Sequence, residues 1–332
     1  MSKQVKTVDF SFESFDSEDD GEIFIGCAGG VDTLAYFDYK KEVMPTGWKS
    51  FRIDIKGLKG GHSGMEIILQ RANSNKLMCR FLKTFMDKFG ILLCDIDGGG
   101  LRNAIPREAF ATVAVLKQYE KKFLSAVKRY EKLYQTEFKG IEDSISFKAV
   151  PVKCPSKCID IFDTQGLIGA VVGLPNGIVK MSTTMPGLVQ TSTNLARVVS
   201  EKGKFTILCL LRSSVRSEKE ALAQQMKTIC EMEGATVKLS GAYDGWNPNP
   251  ESPILHPMQE GYEALYGKKP EIMAIHAGLE CGIIGGVYPK MDMISCGPTI
   301  CYPHSPDEKV NIASVEKFYN YLCYTLEHAP EK

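Results

Sequence analysis

The sequence predicts an α/β protein in which helices cover one side of a sheet, because strand-like and helix-like segments alternate along most of the chain. Residues 51–56 alternate polar and apolar side chains with the period of two that a half-exposed strand shows. Residues 77–89 instead repeat Leu and Phe at helical spacing. At 332 residues, the chain is also long enough for two domains.

The first elements are a strand and a glycine-rich turn. Residues 23–26 predict a short buried strand, which leads into the turn at 26–30. That turn lacks the G-x-G-x-x-G pattern, and no β-α-β unit follows, which argues against a dinucleotide site. The strand at 51–56 leads directly into Gly57–His62. The helix after it takes Asn73 or Ser74 as its N-cap and ends at Gly90.

The later elements are predicted in the same way. Strands are expected at 111–116, 205–211, 272–275 and 291–295, and helices at about 119–138, 217–233, 255–266 and 313–328. Residues 141–200 show only weak strand signals. The proline- and glycine-rich passage at 241–250 indicates a hinge or linker.

Composition restricts the function. Lys+Arg 40 equals Asp+Glu 40, whereas a nucleic-acid-binding domain carries a basic excess. The longest apolar runs are of strand length, so no membrane span is expected. The first residues contain no apolar signal segment, and eleven cysteines fit free thiols better than a disulfide framework. A cytoplasmic protein is therefore expected, with no nucleic acid and no membrane as partners.

Candidate functional groups lie in short polar turns. His62, His276 and His304 each occupy such a turn, and Asp16 begins an acidic run. Imidazoles and carboxylates on short loops are the groups that form hydrolytic metal sites. Alternatives stay open, because His304 also fits a capped loop before a helix, His62 an ordinary hairpin turn, and the acidic run a solvated surface patch. Neither G-x-S-x-G around Ser63 nor an H-E-x-x-H motif is present.

Six segments together resemble one family, the aminoacyl-histidine dipeptidases, which are carnosinase-like zinc metallopeptidases. The segments occur in the family's order, from Asp16 to the C-terminus. They are Asp-Ser-Glu at 16–18, Gly-Cys-Ala-Gly-Gly at 26–30, Gly-Leu-Lys-Gly-Gly-His-Ser-Gly at 57–64, Leu-Arg-Asn-Ala-Ile-Pro-Arg-Glu-Ala-Phe at 101–110, His-Ala-Gly-Leu-Glu-Cys-Gly at 276–282 and Pro-His-Ser-Pro-Asp-Glu at 303–308.

The resemblance implies an α/β catalytic domain that holds two zinc ions and is interrupted by a large α+β lid domain. By that likeness, residues 1–30 and 244–332 are parts of the catalytic domain and 31–243 are the lid. The implied substrate is a small Xaa-His dipeptide of the carnosine type. A homodimer is compatible with the resemblance.

The resemblance also assigns roles to individual residues. Asp16 and His304 resemble ligands of the two zinc ions, and His62 resembles the lid histidine that polarises the scissile carbonyl. Asn103, Arg212 and the backbone at Gly278 resemble the groups that hold the substrate. Arginine can bind a carboxylate with two parallel hydrogen bonds, which agrees with the role given to Arg212.

One departure from the family is large. The family's H-x-D motif, bridging aspartate and Glu-Glu pair would precede Asp16, and no H-x-D occurs in this chain. One ligand per metal cannot hold zinc tightly. We therefore expect an N-terminally truncated dipeptidase with little or no activity alone. The alternatives are a non-catalytic dipeptide-binding or oligomerisation module, and a misassigned start in which residues 1–15 are a junction.

Overall fold

The computed structural model describes residues 20–301 and 307–329. Its strands, in chain order, are β1 (Glu22–Cys27), β2 (Gly29–Asp38), β3 (Lys41–Val43), β4 (Trp48–Lys56), β5 (Gly61–His62), β6 (Leu92–Gly99), β7 (Ala104–Ile105), β8 (Ala109–Leu116), β9 (Ser146–Val152), β10 (Lys157–Ile159), β11 (Gly177–Met181), β12 (Val189–Glu201), β13 (Lys204–Ser213), β14 (Thr236–Tyr243), β15 (Glu271–Ile275), β16 (Ile300–Cys301) and β17 (Lys309–Val310). Its helices are α1 (Ser74–Phe89), α2 (Glu120–Glu137), α3 (Ile161–Gly173), α4 (Arg216–Met232), α5 (Leu255–Tyr266), α6 (Glu280–Val287) and α7 (Ile312–Glu327).

The largest element is an antiparallel sheet of nine strands. Its order is β14-β2-β13-β12-β6-β8-β4-β9, and β11 pairs separately with β12. Side chains on one face of the strands join those of α1 to α4 in a single large hydrophobic core. The predicted α/β class, with helices on one side of a sheet, is confirmed. The opposite face carries the polar groups around Arg212 and, on β6 and β8, a smaller apolar cluster that includes Leu92 and Ala114.

Helix α1 shows why the core forms where it does. The Asn73 side chain accepts hydrogen bonds from the backbone N–H groups of Asn75 and Lys76, which satisfies the helix start as predicted. Phe81, fully buried, then contacts the rings of four aromatic residues that α1, α2 and β9 contribute: Phe85, Phe123, Tyr130 and Phe147. Such ring contacts add to the free energy gained by burial.

A second, smaller unit packs around two parallel strands, β1 and β15. Ile23 and Ile25 of β1 share a core with Met258 of α5 and Tyr321 of α7. Only Ala28 separates β1 from β2, so the small unit continues directly into the large sheet. That sheet extends from Gly29 to Tyr243. The division into residues 1–30, 31–243 and 244–332 stays a prediction.

Two sequence expectations need correction. The strand expected at 291–295 was wrong, because only Ser295 pairs with a neighbour there, through an isolated bridge to Phe24. Residues 141–200 contain a helix, α3, besides strands. Its sequence is apolar on most sides and includes three glycines, so it lacks the helical pattern on which the prediction depended. Within the described residues, no helix is long and apolar enough to cross a membrane.

Candidate functional site

The candidate site lies on the polar face of the nine-stranded sheet, away from the helices. Side chains alternate along β13, so that Cys209 and Leu211 enter the core and Arg212 points to the other face. On the neighbouring β12, Ser192 lies opposite Arg212 in register. Arg212 and Ser192 therefore belong to one polar surface of the sheet, which forms the floor of the site.

Arg212 is a buried cation on this polar face. Its residue is 5% exposed, and its Nη1 donates a hydrogen bond to the Tyr243 hydroxyl at 3.0 Å. Its Nε has no hydrogen-bond partner among the described residues, and none of their carboxylates forms an ion pair with it. Burial is the main cause that lowers the pKa of this guanidinium. Because an uncompensated buried charge is costly, this arrangement indicates a place for an anion.

His62 is held in a defined tautomer above that floor. Its Nδ1 accepts hydrogen bonds from the backbone N–H groups of Gly64 at 3.3 Å and Met65 at 3.1 Å. A nitrogen that accepts carries no proton, so the ring proton resides on Nε2. Burial, and then the charge of Arg212, lower the pKa of His62, while Glu66 raises it. The imidazole is therefore neutral at pH 7 and offers one N–H donor.

The loop that carries His62 is fixed at both ends. His62 pairs with Ala104 in the short ladder between β5 and β7. The Ser63 N–H donates to the Asn103 carbonyl at 2.8 Å. The His62 N–H donates to Glu66 Oε2 at 2.7 Å. The position of the imidazole thus depends on backbone contacts with residues 103 and 104.

Gly64 brings the groups of the site together. A Cβ atom at this position would lie 2.5 Å from the His276 carbonyl oxygen, 3.0 Å from His62 Cε1 and 3.2 Å from Arg212 Cζ. Only a residue without a side chain permits so close an approach. Two histidine loops and the buried arginine therefore meet at one point.

His276 completes the floor in a way that the sequence did not indicate. It is 6% exposed, and its Nε2 lies 2.7 Å from Ser192 Oγ. Burial, and then the nearby Arg212, lower the pKa of His276 to about 3, so the ring is neutral. Gly278 lies beside the Tyr243 ring, where an added Cβ would be 2.9 Å from Tyr243 Cε2.

The predicted site residues fall into two groups. The structure brings His62, Arg212 and Gly278 together, and Asn103 joins them through its backbone carbonyl. Asp16 and His304 lie outside the described residues. Sequence reasoning missed Ser192 and Tyr243. A single Ser or Tyr within a strand carries no pattern, so only the register of the strands could identify them.

The described residues do not fit a two-zinc centre. Over 20–301 and 307–329, no group of three or more His, Cys, Asp or Glu side chains could hold a metal ion. Catalytic zinc sites use about three protein ligands. Within these residues, the groups that can act on a ligand are Arg212, His62 and their neighbours.

Comparisons with known proteins give consistent results. The family model M20_dimer, described as a peptidase dimerisation domain, matches residues 53–142. The cytosol non-specific dipeptidase of Escherichia coli (strain K12) is 39% identical over 317 residues, which are 96% of this chain and 65% of that protein. The crystal structure of the aminoacylhistidine dipeptidase from Vibrio alginolyticus superposes with a TM-score of 0.92 at 43% identity, over 96% of this chain and 65% of that one.

These similarities confirm the resemblance that the six sequence segments predicted. Both relatives carry the name of a dipeptidase. The chain spans about two thirds of the length of either relative.

Proposed function

We propose, on the premise that this chain is related along nearly its whole length to the aminoacyl-histidine dipeptidases, that it binds small dipeptides of the Xaa-His type as the lid side of a metallodipeptidase site. One observation carries the proposal. A buried arginine that forms no ion pair with any described carboxylate adjoins a neutral histidine with a single N–H donor. A dipeptide has one carboxylate and one carbonyl, which are the complements of those two groups.

In this proposal, Arg212 binds the C-terminal carboxylate of the dipeptide. Its Nε has no hydrogen-bond partner within 20–301 and 307–329, and Tyr243 restrains the guanidinium through Nη1. A carboxylate can therefore take two parallel hydrogen bonds from a guanidinium that is already oriented. The same bonds would satisfy the buried donor that the described residues leave unpaired. The backbone at Gly278 is a further proposed substrate contact, and its lack of a side chain lets the Tyr243 ring pack closely against it.

His62 acts on the other end of the C-terminal residue. Its Nε2–H donates to the oxygen of the scissile carbonyl, where negative charge develops as water attacks. The backbone N–H groups of Gly64 and Met65 keep the proton on Nε2, so the donor needs no rearrangement during the reaction. The loop of Asn103 supports His62 and borders the same space.

Zinc belongs to the proposal only through Asp16 and His304, each as one ligand. When bound, the metal would supply an activated water and polarise the carbonyl. The sequence contains neither an H-x-D triplet nor two adjacent glutamates. We therefore propose weak or absent hydrolysis by this chain alone. We also propose a cytoplasmic location and a homodimer, the latter supported by the dimerisation-domain match at 53–142.

The test is calorimetric titration of the full chain with β-alanyl-histidine in the presence of EDTA. We expect saturable binding that is lost in Arg212→Gln and kept in Arg197→Gln. Arg197 is a matched control, since it lies on the adjacent strand β12 and pairs with Asp97. The C-terminal amide of the dipeptide should bind much more weakly. Absence of binding by the unmodified chain would refute the proposed function.

A separate assay addresses hydrolysis. Release of histidine from β-alanyl-histidine is followed after addition of Zn²⁺, with a full-length dipeptidase as the positive control. Rapid turnover by this chain alone would contradict the expectation of weak activity. It would leave the roles of Arg212 and His62 in place, to be tested through their variants.

A further inference from the structure

A second arginine lies on the same face of the sheet as Arg212. Arg102 Nε forms an ion pair with Asp32 Oδ1 at 3.0 Å. Asp32 belongs to β2, two residues beyond Gly30, and Gly30 lies opposite Arg212 in register. Residues two apart on a strand point to the same face, so Asp32 and Arg212 are diagonal neighbours.

The space around this ion pair is closely packed. A Cβ atom on Gly241 would lie 3.3 Å from Asp32 Oδ2 and 3.9 Å from Arg102 Nη2. Gly241 and Tyr243 belong to β14, and the Tyr243 hydroxyl contacts Arg212. The Arg102–Asp32 pair and Arg212 are therefore arranged around one strand end.

Asn194 fixes the backbone from which Arg102 projects. Its Nδ2 donates to the carbonyl oxygen of Ala104 at 2.8 Å and to that of Arg102 at 3.4 Å. Asn194 is 1% exposed, so this attachment is shielded from water. The Asp32 side chain is 12% exposed, whereas that of Arg102 is 44% exposed. Asp32 is thus mostly buried on the polar face of the sheet, and Arg102 extends from it towards solvent.

We propose that Asp32 and Arg102 form a specificity-determining pair, which sets the charge of the Arg212 site so that it accepts one carboxylate. Arg212 and Arg102 contribute two positive charges and Asp32 one negative charge, so the net charge is +1. The Glu66–Arg71 ion pair beside His62 adds no net charge. Without Arg102, Asp32 would repel the carboxylate that Arg212 binds. The inference rests on the proposed function, because it concerns the same ligand.

A charge cycle tests the inference. The four proteins are the unmodified chain, Asp32→Asn, Arg102→Gln and the double variant, whose net site charges are +1, +2, 0 and +1. Affinity for β-alanyl-histidine is measured by calorimetry at low ionic strength. Asp32→Asn should bind about threefold to tenfold more tightly and Arg102→Gln more weakly by a similar factor, as expected for one partly screened charge. The double variant should return close to the unmodified chain.

If the ion pair has only a structural role, the four proteins should rank differently in their affinity for the dipeptide. Both single variants would then bind more weakly, and the double variant would not recover. That result would overturn the inference. Far-ultraviolet circular dichroism verifies that each variant folds, and the amidated dipeptide, which keeps the ammonium group but lacks the carboxylate, serves as the reference. Its affinity should differ little among the four proteins, and equal changes for amide and acid would also count against the charge role.

The same measurements separate the inference from the proposed function. If N-acetylglycine binds as well as the dipeptide and follows the predicted order, the dipeptide specificity fails and the charge pair stands. If the dipeptide binds preferentially but the four proteins do not follow the predicted ranking of affinities, the proposed function is supported and the role of the Asp32–Arg102 pair is refuted. If no carboxylate binds to the unmodified chain, both are refuted.

Discussion

Replacing Arg212 by methionine should make the protein more stable and unable to hold a carboxylate. Methionine is similar in length to arginine and apolar, so it can occupy the same buried channel. The arginine is 5% exposed and lacks an acidic partner among the described residues. The free-energy cost of removing its guanidinium from water is therefore offset only when an anion binds.

The expected magnitude follows from two opposing contributions. Replacing a buried ion pair by well-packed apolar side chains is often neutral or stabilises a protein by about 1–4 kcal/mol, and we expect the same range for a buried cation that forms no ion pair with a described residue. Loss of the hydrogen bond to the Tyr243 hydroxyl costs about 1 kcal/mol. The net gain in the free energy of unfolding should be about 0–3 kcal/mol, and each kcal/mol raises the Tm of a unit this size by roughly 2–4 °C.

Binding should change in the opposite direction. A charge-assisted pair with a carboxylate is worth about 1.5–3 kcal/mol, so affinity for a dipeptide should fall roughly 10-fold to 150-fold. Differential scanning calorimetry and isothermal titration measure the two effects on one preparation. Arg197→Met is the control, because its ion pair with Asp97 is partly exposed and no gain in Tm is expected. A lower Tm for Arg212→Met would refute the view that Arg212 is an unpaired cation.

Three further predictions concern the histidines and Gly64. Gly64→Ala should weaken dipeptide binding about tenfold or more, because its Cβ would displace the His276 carbonyl; Gly100→Ala, with nothing within 4 Å, is the calorimetric control. The NMR titration of His62 should show a midpoint below 6.5, since burial and Arg212 disfavour the imidazolium; a midpoint above 6.5 would contradict the neutral donor. His276, with a pKa of about 3 against an ordinary 6.5, is protonated first in the unfolded chain. The free energy of unfolding should therefore fall by up to about 1.4 kcal/mol per pH unit from 6.5 towards 3. His276→Gln should remove this part of the slope in denaturant titrations, whereas the exposed His256→Gln should keep it.

Local patterns predicted most elements of the large sheet. Strand β4 alternates in sequence because one of its faces enters the core, and Phe51, Ile53 and Ile55 are fully buried. Helix α1 was predictable from its stripe of apolar residues and from Asn73. By contrast, α3 is apolar on its exposed side as well, where Phe162 is 77% exposed, and its packing against α1 and α4 became apparent only in three dimensions. Period and polarity identify an element whose exposed side is polar, and they fail for one whose exposed side is also apolar.

The candidate site was predictable to a different extent. His62 and Gly64 belong to a short glycine-rich turn, so a local segment was sufficient to select them. Arg212 was selected only through the family resemblance, since a single arginine at a strand end has no local signature. The pairing of Ser192 with His276 joins residues 84 positions apart. Contacts of that kind depend on strand register and on the return of the chain from β15, which sequence spacing does not contain.

Several of the buried polar groups that lack a hydrogen-bond partner lie at this site. Ser63 Oγ, Asn194 Oδ1 and Arg212 Nε have no such partner among the described residues, and all three belong to the His62 loop or to the floor beneath it. Each such group costs about 1–3 kcal/mol relative to one that is satisfied. A sheet with a large apolar core on its other face can tolerate that cost. A dipeptide bound to Arg212 would recover part of it, so the ligand should raise the Tm of the unmodified chain and not that of Arg212→Met.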